Sequence, residues 1–177
     1  RRTTRAKGSA ITHTPLDFEV CIHEAGHAVA ACYYGIDFHR VQVDFDLDTE
    51  QTTGMLSQGR GTPTHAGISI AGPAALAYYR GEAEHLDFRG IESSPGARGD
   101  IHAIYRSWYG SAPRTRRDYF GGEFARHTER LFRMALEEII EPMFPLIEET
   151  ARRLQSQKIL SPGEVQAVLA PRKAGVP

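Results

Sequence analysis

The chain has 177 residues, 41% of them hydrophobic and 24% charged, and its 21 basic and 22 acidic residues leave a formal net charge of -1. That is enough chain for one domain with a core, and short for two. Balanced charge argues against a dedicated nucleic-acid binder, the apolar fraction argues against disorder throughout, and no apolar run reaches the roughly 18 residues that a membrane helix needs.

Residues 1–12 carry Arg1, Arg2, Arg5 and Lys7 and read as a flexible basic arm. No secretory signal pattern opens the sequence, and together with two reduced cysteines this points to the cytoplasm. Cys21 and Cys32 are eleven positions apart. On one helix that is about 16 Å of rise, too far for a disulfide. Thr14-Pro15-Leu16-Asp17 predicts a helix start, with Thr14 as cap, and the helix runs to about Tyr34, where Gly35 offers a left-handed stop. Val41, Val43, Phe45 and Leu47 alternate with polar residues and predict a half-buried strand. Asp48 to Thr52 reads as a turn and Thr53 to Ser57 as a second, short strand.

A second helix is expected from Thr62-Pro63 to Gly81, kinked at Pro73. Glu82 to Gly99 reads as a loop with at most one turn. Ala97, Ile101, Ile104 and Trp108 then recur at helical spacing. A helix over Glu123 to Glu141 is expected to be interrupted by Pro142 and Pro145 and to resume over Leu146 to Gln157. Ser161-Pro162-Gly163-Glu164 has the form of a capping box and opens a last helix to about Ala170; residues 171–177 are expected to fray. The fold class expected is mainly α with a small β-sheet, an α+β domain over residues 13–170.

His23-Glu24-Ala25-Gly26-His27 is an H-E-x-x-H sequence. Residues four apart on a helix share a face, so both imidazoles can bind one zinc ion. Glu24 lies about 100° round from His23, poorly placed as a ligand but well placed to hydrogen-bond a water at the metal. Zinc brings such a water toward pKa 7, and Glu24 is the expected general base. Gly26, Ala30 and Ala31 are small and allow a second element to approach this face closely. The longer metzincin pattern is excluded, because Ala30 and Tyr33 stand where Gly and His are required. Candidates for a third ligand downstream are Glu82, Glu84, His85, Asp87, Asp100 and His102, and spacing does not choose among them. Asp100 opens a predicted helix after a Gly-rich turn; His102, two residues on, is expected to face away from it.

The segment Val20 to Ala30 resembles the zinc helix of the FtsH-type ATP-dependent membrane proteases, peptidase family M41. Thr53-Gly54-Met55-Leu56 is similar to that family's edge strand, Ile70 to Ala75 to its second helix, and Ser94 to Ile101 to the segment whose Asp is the third zinc ligand. Leu154 to Val168 is similar to its C-terminal end, so the likeness spans about residues 15 to 170. Pro73 departs from the usual Arg, and Asp87 to Ser94 departs in detail. The resemblance implies a zincin-like peptidase fold, one Zn2+ held by His23, His27 and Asp100, Glu24 as catalytic base, and substrate pairing along Thr53, Gly54, Met55 and Leu56. It implies a polypeptide substrate and a hexameric ring.

No G-x-x-x-x-G-K-[ST] nucleotide loop occurs in these residues, so the chain is either a piece of a longer protein or a stand-alone domain that relies on a separate ATPase. Without unfolding, only flexible or unfolded chains are expected to be cut. The expected function is therefore a zinc metalloendopeptidase. The alternative is a non-proteolytic zinc-containing binding or regulatory domain derived from such a peptidase. Nucleic-acid binding through Arg1 to Lys7 and Arg114 to Arg117 is not expected, given the balanced charge.

Overall fold

A computed structural model of the chain describes residues 17–46, 51–59, 64–113, 115, 119–120 and 122–170. The expected basic arm, the Thr14 cap, the Thr62-Pro63 helix start and the frayed end at 171–177 lie outside these. The described chain is mainly helical with one three-stranded antiparallel sheet. Among the described residues no helix is long and apolar enough to cross a membrane.

Helix α1 (Phe18–Tyr33) forms the centre. Asp17 caps it, its side chain accepting from the Glu19 N–H at 2.9 Å, so the cap lies three residues later than the sequence suggested. Every residue from Cys21 to Ala31 is buried. Eight of these eleven are Ala, Gly, Cys, Val or Ile, which let neighbours close in on every side; His23, Glu24 and His27 are the exceptions. The chain then forms β1 (Arg40–Asp46) and β2 (Gln51–Ser57), paired antiparallel with Val43 opposite Gly54 and Val41 opposite Leu56. Gln51 and Thr52, expected in a turn, are already strand.

Helix α2 (Ala66–Tyr79) packs along α1. Here the small residues on α1 act as expected: a Cβ on Gly26 would sit 2.7 Å from the Ala71 carbonyl oxygen and 2.7 Å from the Ala75 Cβ. Pro73 lies inside α2, in a segment buried from Gly67 to Ala77.

The stretch Glu82 to Gly99 is not a loop. It holds a 3-10 turn (Ala83–His85) and helix α3 (Phe88–Ser93). Asp87 caps α3 by accepting from the Gly90 N–H at 2.9 Å, and the Phe88 N–H donates to Glu129 Oε1 at 2.8 Å. Phe88 and Ile91, three apart, anchor its inner face. Gly96, at φ +81°, makes the left-handed turn into α4 (Ala97–Tyr109), which packs on α2.

The two prolines do not break the next helix. Helix α5 (Glu123–Ala135) passes through a π-helical segment (Leu136–Ile140) straight into α6 (Glu141–Gln157). A proline ring clashes with the carbonyl four residues back. Pro142 stands in the first turn of α6, directly after the π-helical segment, and Pro145 lies within the helix. A two-residue strand β3 (Ile159–Leu160), which the sequence did not suggest, adds to β1 and gives the order β2-β1-β3. The expected capping box opens α7 (Pro162–Leu169): the Ser161 N–H donates to Glu164 Oε2 at 2.7 Å and the Glu164 N–H to Ser161 Oγ at 3.4 Å. The core runs through α1, α2, α4, α5 and α6 and the inner sheet face, where Val41, Val43 and Leu160 are buried. Each fully buried Ile or Leu contributes about 1.5–3 kcal/mol.

Candidate metal centre

His23 and His27 follow from the phase of α1 and face the same way; their rings meet edge to face with centroids 4.7 Å apart. Asp100 comes from the first turn of α4, 77 positions from His23. Its Oδ2 lies 3.0 Å from His23 Nε2 and 3.4 Å from His27 Nε2, and the two Nε2 atoms are 3.1 Å apart. Ligand atoms bound tetrahedrally at about 2.0–2.1 Å are spaced about 3.3 Å from one another. The three atoms thus form a triangle of the size one such ion demands, and the His-His-Asp group can hold a metal ion.

The remaining side of His27 is fixed. Its Nδ1–H donates to the Ile68 carbonyl at 2.7 Å, which turns Nε2 toward the triangle. Gly72 of α2 closes over the pair, since a Cβ there would lie 2.4 Å from His27 Nε2. Gly96 does the same beside His23, at 3.1 Å from Cε1. Sequence reasoning did not single out Ile68, Gly72 or Gly96 as parts of the site. The Gly-rich turn before Asp100 was a signal for Gly96; a backbone carbonyl at Ile68 leaves none.

Glu24 is 6% exposed, and its Oε2 has no hydrogen-bond partner. It lies against β2: a Cβ on Gly54 would come within 2.3 Å of the Glu24 Cγ. Burial raises the Glu24 carboxyl above its ordinary value, while the two histidines pull it down. In His27, burial alone would lower the pKa, but the Asp100 charge and hydrogen bond outweigh it and push it up to about 9. Conversely, His27 and His23 hold Asp100 well below the usual carboxylate range in spite of its burial. These opposed shifts describe groups that stabilise one charge arrangement, either a shared proton or a cation.

The site opens into a cleft of about 710 Å3, walled by the triangle, Glu24, Leu76, the Pro95–Gly96 turn and residues Gln51 to Met55 of β2. Of the four residues expected to hold substrate, Thr53, Gly54 and Met55 line this cleft. Leu56 does not; it lies opposite Val41 and packs partly buried against the core. At the end of the cleft Arg80 Nε donates to Glu19 Oε1 at 3.0 Å. The other third-ligand candidates stay out of the triangle. Glu82, Glu84 and His85 are exposed, Asp87 caps α3, and His102 faces away as expected, its ring 5.0 Å from that of Tyr119.

No family model matches the chain, and no curated protein matches it.

Proposed function

We propose that the chain is a zinc-dependent metalloendopeptidase of the FtsH type, cutting flexible or unfolded polypeptides in the cleft beside β2. The observation that carries this reading is the pairing of a three-ligand triangle with a buried, unpartnered carboxylate oxygen on Glu24 next to it. His23, His27 and Asp100 would hold a zinc ion, which would supply Lewis acidity to a water molecule and to the peptide carbonyl. Glu24 Oε2 then takes a proton from the attacking water and passes it to the nitrogen of the leaving amine. Its raised pKa suits a group that must both accept and return that proton. The outer edge of β2 is free of β-partners among the described residues, since the sheet order ends there, and it suits an extended chain adding by main-chain pairing.

A purely structural zinc site closes with a fourth protein ligand and needs no base. Among the described residues the converging group has three members, which favours catalysis over the regulatory alternative. The sequence resemblance adds a hexameric assembly and an ATP-driven unfolding partner in the cytoplasm to this proposal. The test is cleavage of a permanently unfolded fluorogenic reporter by zinc-loaded protein. Glu24→Gln should lose at least about 100-fold in kcat with its zinc content unchanged. Equal rates for the two proteins remove Glu24 from the chemistry and with it the peptidase reading.

A further inference from the structure

Asp100 is the only member of the triangle that does not come from α1, so something must hold α4 in register against the central helix. The turn that delivers it, Ser94 to Gly96, is spanned by an ion pair. Arg98 Nε donates to Glu92 Oε1 at 3.0 Å. The two partners differ sharply in exposure: the Glu92 side chain is 9% exposed and that of Arg98 75%. Glu92 belongs to α3, and Arg98 lies in the first turn of α4, two residues before Asp100. Exposed pairs contribute little, but a carboxylate this buried is costly to leave unpaired. The pair therefore fixes the angle between α3 and the start of α4, where Gly96 touches His23 and Asp100 meets both histidines.

We propose that Glu92, through its ion pair with Arg98, is a positioning residue that sets the Asp100 carboxylate on the metal triangle. The inference rests on the metal-site reading above and adds a residue outside the H-E-x-x-H helix and outside the cleft wall. Residues that orient metal ligands typically change metal affinity 10–100-fold when replaced.

The experiment measures zinc affinity by chelator competition and the visible absorption of the cobalt(II)-loaded protein. The proteins compared are wild type, Glu92→Gln, Arg98→Ala, Arg98→Lys, Asp100→Ala and the Glu92→Gln/Asp100→Ala double variant. Glu92→Gln and Arg98→Ala should weaken zinc binding about tenfold or more and alter the cobalt bands, and Arg98→Lys should restore most of the loss. Because Arg98 is largely exposed, its variants keep the test open if Glu92→Gln folds poorly. In the Asp100→Ala background, Glu92→Gln should cost no further affinity. Wild-type affinity and cobalt spectrum in both Glu92→Gln and Arg98→Ala overturn the positioning role alone, as does a full additional loss in the double variant. A wild type that takes up neither zinc nor cobalt overturns the metal-site reading and this role together.

Discussion

Two carboxylates in the Asp87 to Asp100 stretch illustrate how place decides role. Asp87 spends its oxygen on the Gly90 N–H, whereas Asp100 places Oδ2 within 3.0–3.4 Å of two imidazoles. Asp100→Ala should therefore weaken zinc binding by at least about tenfold, while Asp87→Ala leaves it unchanged and costs about 1 kcal/mol of stability through the lost cap. Calorimetric titration with zinc and thermal unfolding separate the two effects; equal zinc affinity in both variants dismisses Asp100 as a ligand. A second expectation concerns protons. Metal takes neutral imidazole, and in the metal-free protein Asp100 keeps His27 up at about 9, so His27 is protonated at pH 7. Zinc uptake at pH 7 should release about one proton from it, and affinity should rise about tenfold per pH unit until pH approaches 9. Titrations in buffers of different ionisation enthalpy read that proton directly; no release, or affinity flat between pH 7 and 9, contradicts the coupling.

At the scale of elements, the packing of α1 on α2 sets the site's depth, and Gly26 is one of its close approaches. Replacing Gly by Ala inside a helix gains about 1 kcal/mol of propensity. Here the new Cβ would meet a backbone carbonyl at 2.7 Å, which cannot rotate away, so overpacking of about 1–3 kcal/mol should win. Gly26→Ala should thus lower the unfolding midpoint in urea, and a stabilised variant would mean the helices are not packed this tightly. The elements with strong local signals were legible in the sequence: α1, β1, α4 from its 97-101-104-108 spacing, and α7 from its capping box. The triangle was legible too, His23 and His27 by their spacing and Asp100 by family likeness. Less legible was whatever depends on neighbours distant in sequence. Helix α3 is short and begins with the Phe88 N–H donating to Glu129, and the two residues of β3 pair with β1. The prolines at 142 and 145 suggested a break because the π-helical segment before them has no clear sequence pattern. Leu56 was grouped with the substrate strand although it packs against the core beyond the end of the cleft lining.

Across the whole molecule, three separate stretches build the centre: α1 gives both histidines and Glu24, β2 gives part of the wall, and the first turn of α4 gives Asp100. The carboxylate reaches α1 only because α4 rests on α2 and α2 on α1, a stack that the glycines at 26 and 72 draw close. The same convergence leaves one side of the triangle facing the cleft. The most direct measurement is anomalous scattering at the zinc edge from crystals of zinc-loaded protein. The account expects a single peak about 2.0–2.2 Å from His23 Nε2, His27 Nε2 and Asp100 Oδ2, with a solvent oxygen as the remaining ligand beside Glu24. A peak elsewhere, an Asp100 carboxylate turned away from the ion, or a fourth protein ligand in place of solvent would contradict it.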